Sequence, residues 1–150
     1  RFLNPAHMPQ AILSFCSDSG QPAPQDQGQI VRMIFEGLAL KYRFVLEQIE
    51  KMRGIQLDAL HIVGGGSQND LLNQFTANAT GLPVVAGPVE ATALGNVIVQ
   101  AMAKKVIGSL QQGRDLIARS FKVKTFMPQE TDRWQEIYET HRSLLMTTRF

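Results

Sequence analysis

The clearest structural signal in this chain is the stretch Ala59-Leu60-His61-Ile62-Val63-Gly64-Gly65-Gly66-Ser67-Gln68-Asn69-Asp70. An apolar run leads directly into three glycines (residues 64–66, the glycine turn), and a helix-compatible segment over 71–80 follows. Glycine lets the backbone turn sharply and lets a ligand approach the main chain without an intervening Cβ. The amides that begin the next helix favour negative charge or hydrogen-bond acceptors. A strand, a glycine turn and a helix in this order are typical of α/β folds that bind nucleotides.

The segments around the glycine turn predict an α/β fold with parallel strands. Asp26 is a candidate N-cap and Gly54 a candidate C-cap for one long amphipathic helix. After it we expect a strand over 57–63, a helix over 70–80, a strand over 82–86 and a helix over 91–102 buried against the sheet. The long helix shows apolar residues at three- and four-residue spacing, namely Ile30, Ile34, Leu38, Tyr42, Val45, Leu46, Ile49 and Met52.

The two ends of the chain carry weaker patterns. Four prolines lie in residues 1–25, so we expect an irregular segment with at most one short helical turn over 11–16. Residues 120–127 can be extended. Residues 130–145 predict a final helix, which places on one side Trp134, Ile137, Tyr138, His141, Leu144 and Leu145.

Two parallel strands make too small a sheet to cover three helices. Parallel sheets normally have more strands and have both faces covered. We therefore expect further strands of the sheet to lie upstream of Arg1. The absence of an initiating methionine agrees with this, and both observations indicate part of a longer protein.

Bulk composition indicates an ordinary globular protein without a polyanionic partner. The 150 residues are 44% hydrophobic and carry a net charge of +2 with acids and bases interleaved, so no nucleic-acid partner is expected. The lysines in 104–105 and 122–124 form only short clusters, and we interpret them as solvated. The single cysteine, Cys16, is interpreted as a packing residue in a reducing compartment. Without a signal peptide or an apolar run of the ~20 residues that span a bilayer, we expect a cytoplasmic protein with no membrane partner.

The glycine turn does not match two common nucleotide-binding motifs, the phosphate loop and the dinucleotide pattern, in full. A phosphate loop needs a Lys-Ser/Thr pair that does not follow here. In the dinucleotide pattern Gly-x-Gly-x-x-Gly from Gly64, the last position is Asn69, although Glu90 stands about where that pattern places a ribose-binding acid. A Rossmann domain and a purely structural turn therefore stay open. No metal site is predicted, because metal-ligand spacing is absent among His7, His61 and His141.

Three segments in order resemble the FGGY carbohydrate kinases. Ile62-Val63-Gly64-Gly65-Gly66-Ser67-Gln68-Asn69-Asp70-Leu71-Leu72-Asn73-Gln74-Phe75 resembles the adenosine motif of that family. The pattern continues in Gly81-Leu82-Pro83-Val84 and in Gly87-Pro88-Val89-Glu90-Ala91-Thr92-Ala93-Leu94-Gly95-Asn96. Upstream, Arg32-Met33-Ile34-Phe35-Glu36-Gly37-Leu38-Ala39 looks like the family's Arg-Ala-x-x-Glu-Gly helix. Three glycines alone are a weak signal, but the combination over residues 1–128 is specific.

The resemblance implies a partial actin-like, ribonuclease-H-like ATPase domain. Residues 26–128 would be the C-terminal nucleotide-binding domain, after a lead-in over 1–25 and before a helical tail over 129–150. It further implies transfer of the ATP γ-phosphate to a sugar, with Mg²⁺, and similarity is greatest to members that convert L-rhamnulose to L-rhamnulose 1-phosphate. The alternatives are a kinase for another ketose or polyol, a non-catalytic sugar-responsive regulator with a kinase-like domain, and a Rossmann-type oxidoreductase.

The resemblance also implies roles for individual residues. Gly65 would touch ATP or ADP, Gly64 and Gly66 would shape the turn, and Asn69 would lie against the adenine. Glu90 and, in the following helix, Gly95 are weaker candidates for which a structural role is preferred. The family's phosphate loop, catalytic aspartate and sugar-binding residues have no counterpart in this chain. Because phosphoryl transfer needs several positioned groups at once, the 150-residue polypeptide alone is expected to be inactive.

Overall fold

The computed structural model of the protein describes residues 2–147, of which 143–147 are described as helical backbone only. Arg1 and residues 148–150 of the predicted end segments lie outside the described residues, as do the side chains of Leu144 and Leu145. The elements in chain order are α1 Met8–Asp18, α2 Gln27–Arg53, β1 Leu60–Ile62, a 3-10 helix Gly65–Gln68, α3 Asp70–Thr80, β2 Val84–Ala86, α4 Ala91–Ala103, α5 Leu110–Ser120, β3 Lys124–Phe126 and α6 Thr131–Thr147.

The three strands form one small mixed sheet in the order β1-β2-β3. β1 and β2 are parallel, with Leu60 opposite Val84, which confirms the parallel pair expected from the sequence. β3 is antiparallel to β2, with Val84 opposite Phe126, and it lies within residues 120–127, for which the sequence indicated an extended conformation and no pairing direction. An extended segment shows its own conformation in sequence, but the direction in which it pairs depends on a distant partner.

α2 has the predicted caps and a different buried face. The Asp26 side chain accepts a hydrogen bond from the Gln29 amide at 2.8 Å, and Gly54 ends the helix with φ of 65°. Ala39 and Leu40 are buried, whereas much of the predicted apolar side is 37–46% exposed, namely Ile34, Leu38, Tyr42 and Val45, together with Val31. α2 therefore has two apolar faces. The three- and four-residue spacing of apolar residues in the sequence identified the face that is exposed in the structure.

Residues 1–25 are not irregular throughout, because α1 occupies Met8–Asp18. The His7 side chain caps this helix by accepting from the Gln10 amide at 3.3 Å. Pro9 lies in the first turn of α1, where backbone amides have no acceptor within the helix, so the lack of an amide N–H in proline costs no hydrogen bond. Cys16 is 1% exposed and its sulfur lies 3.6 Å from that of Met33, which confirms it as a packing residue.

The main core joins α2, α3 and α6. Its buried residues are Ala39, Leu40, Phe75, Ala79, Trp134 and Tyr138. The rings of Phe75 and Trp134 lie 5.3 Å apart, so the helix predicted at the C-terminal end packs directly on the helix that follows the glycine turn. This packing holds α3 in place beneath the turn.

Tyr138 makes the stability of the folded protein depend on pH in the alkaline range. Its hydroxyl donates to Glu47 at 2.7 Å, and the Arg43 guanidinium lies 4.1 Å from its ring centre. Burial, and then the bond to Glu47, raises the pKa of Tyr138 from 10.0 to about 12. The folded protein keeps this proton while the unfolded chain releases it, so stability falls as pH rises from 10 to 12.

We expect Tyr138→Phe to remove that part of the pH dependence. The measurement is the free energy of unfolding in urea for both proteins from pH 9 upward. All other residues are common to the two proteins, so the difference between the curves isolates Tyr138. Parallel curves through the whole window would contradict this expectation.

α4 is mostly exposed, which corrects the prediction of a helix buried against the sheet. Val97 and Val99 are 61% and 62% exposed, and Ile98 is its only buried residue among those described. Ile98 packs against Gly113 of α5, where an added Cβ would lie 2.5 Å from the Ile98 Cγ2. The close contact of α4 with α5 therefore requires a residue without a Cβ at position 113.

Gly113→Ala is expected to destabilise the protein by about 1–3 kcal/mol, because a β-branched side chain in a helix cannot turn away from the new methyl group. Gly95→Ala in α4 is the matched control, since its Cβ would meet no atom within 4 Å. That control is expected to stabilise the helix by up to about 1 kcal/mol. Urea unfolding of both variants makes the measurement, and equal midpoints would show that α4 and α5 are not in close contact.

Candidate functional site

The glycine turn connects β1 to α3 and needs glycine at one position for the backbone. Gly64 has φ of 77° and ψ of −161°, a region that is essentially restricted to glycine. Gly65 and Gly66 are exposed and lie outside the left-handed region. A Cβ on Gly65 would meet no atom within 4 Å. The fold therefore does not require glycine at position 65, while a ligand approaching the main chain would.

Two loops at the carboxyl ends of the parallel strands are tied together. The Gly64 amide donates to the Pro88 carbonyl at 3.3 Å, and the Gly87 amide donates to the Ile62 carbonyl at 2.8 Å. The carboxyl ends of parallel strands are where open α/β sheets bind ligands. Gly65 and Gly66 begin the 3-10 helix, so helical geometry provides no acceptor for their amides.

Asn69 is the N-cap of α3. Its Oδ1 accepts from the Leu72 amide at 3.0 Å, which confirms a helix start at this point. The oxygen of the side chain is used in this way, and within residues 2–147 its nitrogen makes no hydrogen bond, so Nδ2 is the group free to contact a ligand. Beside it, Asp70 pairs with Lys124 at 2.7 Å and joins the start of α3 to β3.

A cavity of about 440 Å³ lies between the 3-10 helix and the loop after β2. It is lined by Ser67, Gln68, Ala86, Gly87, Pro88, Val89, Glu90, Phe121, Lys122 and Lys124. Glu90 is thus near the turn and lines this cavity, whereas Gly95 is exposed on α4. The glycine turn and Asn69 do not line it, so the cavity and the exposed amides form adjacent surfaces. Sequence reasoning missed Phe121 and Lys122 here because β3 brings them to this edge from far along the chain.

The described residues offer few groups for other chemistry. No three His, Cys, Asp or Glu side chains in residues 2–147 lie close enough together to hold a metal ion. In the same part of the chain, no helix combines the length and apolar character that crossing a membrane requires.

A solved structure shares this fold. The crystal structure of Plasmodium falciparum glycerol kinase with ADP aligns with a TM-score of 0.64 over 81% of this chain and 24% of that one, at 23% identity. The likeness shows that the chain has the actin-like fold, as the sequence predicted. Residues 1–104 match the C-terminal domain of the FGGY family of carbohydrate kinases. The chain belongs to this family.

Curated relatives give a consistent picture. The chain is 54% identical over 137 residues to the rhamnulokinase of Bacteroides thetaiotaomicron, a match that covers 91% of this chain and 28% of the relative. It is 36% identical to the rhamnulokinase of Bacillus subtilis over 97% of this chain and 30% of the relative. The chain therefore spans less than a third of the length of these proteins. The family match and these relatives do not favour the two alternatives of a Rossmann-type oxidoreductase and a non-catalytic regulator.

Proposed function

We propose that this chain is the C-terminal nucleotide-binding part of an ATP-dependent sugar kinase, in which the glycine turn holds the adenosine end of ATP. The supporting observation is Gly65, whose exposed main chain has no side chain although the fold leaves room for one. Main-chain amides without a neighbouring Cβ suit close approach by a nucleotide. The Gly65 amide and the Asn69 Nδ2 then face the adenosine, while Gly64 and Gly66 shape the turn.

The sugar is L-rhamnulose, the product is L-rhamnulose 1-phosphate, and the reaction belongs to L-rhamnose degradation in the cytoplasm. The names of the relatives support this substrate, with identities from 36% to 54% over most of the chain. Another ketose or polyol is the alternative substrate. The catalytic base and most of the sugar site lie in the remainder of the longer enzyme, outside this chain.

Mg²⁺ accompanies ATP in this proposal. No cluster of three suitable ligands exists among the described residues. Mg²⁺ usually binds substrate phosphates with one or two carboxylates. Those carboxylates are assigned to the remainder of the enzyme, and this chain contributes positioning of the nucleotide.

The domain boundaries are part of the same proposal, with a lead-in over 1–25, a nucleotide-binding domain over 26–128 and a helical tail over 129–150. Within the described residues, β1 pairs with a neighbour on one side only. A strand of the longer protein added to that free edge would extend the sheet, in agreement with the strands expected upstream of Arg1.

The test is a sugar-kinase assay on the full-length protein and on the 150-residue polypeptide. The full-length protein is expected to phosphorylate L-rhamnulose with ATP and Mg²⁺ in preference to other ketoses and polyols. The short polypeptide is expected to phosphorylate none of them. Failure of the full-length protein to phosphorylate any sugar would overturn the proposal, and transfer by the short polypeptide would overturn the division of roles.

A further inference from the structure

Asn73 is a fully buried polar side chain directly beneath the glycine turn. It lies in the first part of α3 and is 0% exposed. Its Nδ2 donates to the Ser67 carbonyl at 3.0 Å, and its Oδ1 has no hydrogen-bond partner within residues 2–147. Burying an amide with one end unpaired costs free energy that an apolar side chain of similar size would not cost. Such a group calls for a specific role.

The bond from Asn73 is the inner end of a chain of hydrogen bonds through the turn. Ser67, which is 7% exposed, donates to the Gly64 carbonyl from its amide at 3.1 Å and from its hydroxyl at 2.7 Å. Gly64 in turn donates to the Pro88 carbonyl. The peptide groups between Gly64 and Ser67 include the exposed amides of Gly65 and Gly66. Asn73 therefore holds, from the interior, the exposed segment that carries the Gly65 and Gly66 amides.

We infer that Asn73 is a positioning residue for nucleotide binding, which orients the Gly65 and Gly66 amides without touching the ligand. This rests on the proposed function, because it assumes that the glycine turn binds adenosine. Full burial keeps Asn73 away from any ligand, so its effect passes through the Ser67 carbonyl alone. Its loss lets the turn move while the rest of the site keeps its groups.

The matched control is Asn78, a second buried asparagine in the same helix. Asn78 is 6% exposed, and its Oδ1 accepts from the Gln74 side chain at 2.7 Å and from the Gln129 amide at 2.9 Å. These bonds join α3 to the segment before α6, away from the turn. Truncating either asparagine removes the same atoms from the same helix, so only the location of the lost bonds differs.

The experiment uses full-length Asn73→Ala, Asn73→Leu and Asn78→Ala proteins in steady-state kinetics. Both Asn73 variants are expected to raise the KM for ATP about tenfold, in line with loss of one bond to a buried group, while the KM for sugar and the kcat change less than about twofold. Asn73→Leu fills the volume without a donor, which separates loss of the bond from cavity formation. Asn78→Ala is expected to lower stability and leave the KM for ATP unchanged.

Amide hydrogen exchange gives a second readout that needs no nucleotide. Exchange at residues 64–69, which include the bonded amides of Ser67 and Asn69, is expected to accelerate in the Asn73 variants and not in Asn78→Ala. An unchanged KM for ATP in the Asn73 variants would overturn the inference, whether or not exchange changes. Failure of both Asn73 variants to fold, with Asn78→Ala folded, would assign Asn73 to folding and overturn it as well.

Gly65→Val in the same assay separates this inference from the proposed function. If Gly65→Val raises the KM for ATP and the Asn73 variants do not, the proposed function stands and the role of Asn73 is rejected. If Gly65→Val also leaves the KM for ATP unchanged, the glycine turn is not the nucleotide site and both are rejected.

Discussion

Gly65→Val in the full-length protein is expected to raise the KM for ATP by about tenfold to a hundredfold, since misplacement of a substrate by about 1 Å can cost up to about a hundredfold. The Cβ of a side chain here would have no atom of a residue beyond its chain neighbours within 4 Å, and the side chain would occupy space where adenosine is proposed to lie. The backbone at Gly65 is outside the left-handed region, so its conformation accommodates a residue with a Cβ. The KM for sugar is expected to change little, because the sugar site is proposed to lie mostly outside this chain.

Two comparison variants make the Gly65 result specific. Gly65→Ala has a smaller side chain and is expected to give a smaller rise in the KM for ATP. Gly64→Ala is expected to lower stability by about 1–3 kcal/mol, because φ of 77° with ψ of −161° strains any residue with a Cβ. Steady-state kinetics with ATP and sugar varied in turn, together with urea unfolding, separates the two effects. An unchanged dependence on ATP for Gly65→Val would remove Gly65 from the site.

Trp134→Ala is expected to lower the free energy of unfolding by about 3–5 kcal/mol, the usual range for a buried aromatic residue. Trp134 is 4% exposed and packs 5.3 Å from the Phe75 ring, in the cluster that joins α6 to α2 and α3. Its removal leaves a cavity between the C-terminal helix and the helix that follows the glycine turn. The expected decrease in the free energy of unfolding is large because Trp134 contacts the core that α2, α3 and α6 form together.

Arg133→Ala is the control for Trp134→Ala, one residue earlier in the same helix. The Arg133 side chain is 64% exposed and its pair with Glu130 spans 3.7 Å, so its loss is expected to cost less than about 0.5 kcal/mol. Urea unfolding of both variants measures the difference. If Trp134→Ala were no less stable than Arg133→Ala, the C-terminal helix would contribute nothing to the core.

Much of the candidate site could be predicted from sequence because its signals are local. A glycine with positive φ, an asparagine cap and an apolar strand each depend on residues only a few positions away. The turn at 64–66, the start of α3 at Asn69 and the parallel partner over 82–86 were therefore predictable. The cavity beside the turn was not, since Phe121 and Lys122 reach it from more than fifty positions beyond Gln68.

The incorrect predictions have physical causes that the local sequence does not show. Pro9 was counted as a helix breaker although it occupies the first turn of α1, where proline is tolerated. In α2 the apolar spacing exists on two faces, and contact with α3 and α6 selects the one with Ala39 and Leu40. α4 has the composition of a buried helix, yet its valines face outward. Composition states what a segment can bury and does not state which partner covers it.

The amino-acid sequence by itself determined the family, the glycine turn and the caps of the helices around it, because these follow from backbone freedom and short-range hydrogen bonds. Only the tertiary structure decided which face of α2 is buried, that β3 runs antiparallel to β2, and that Asn73 lies beneath the turn with its amide on Ser67. Burial and strand direction arise from contacts between residues far apart in the chain, and a local pattern carries no information about them.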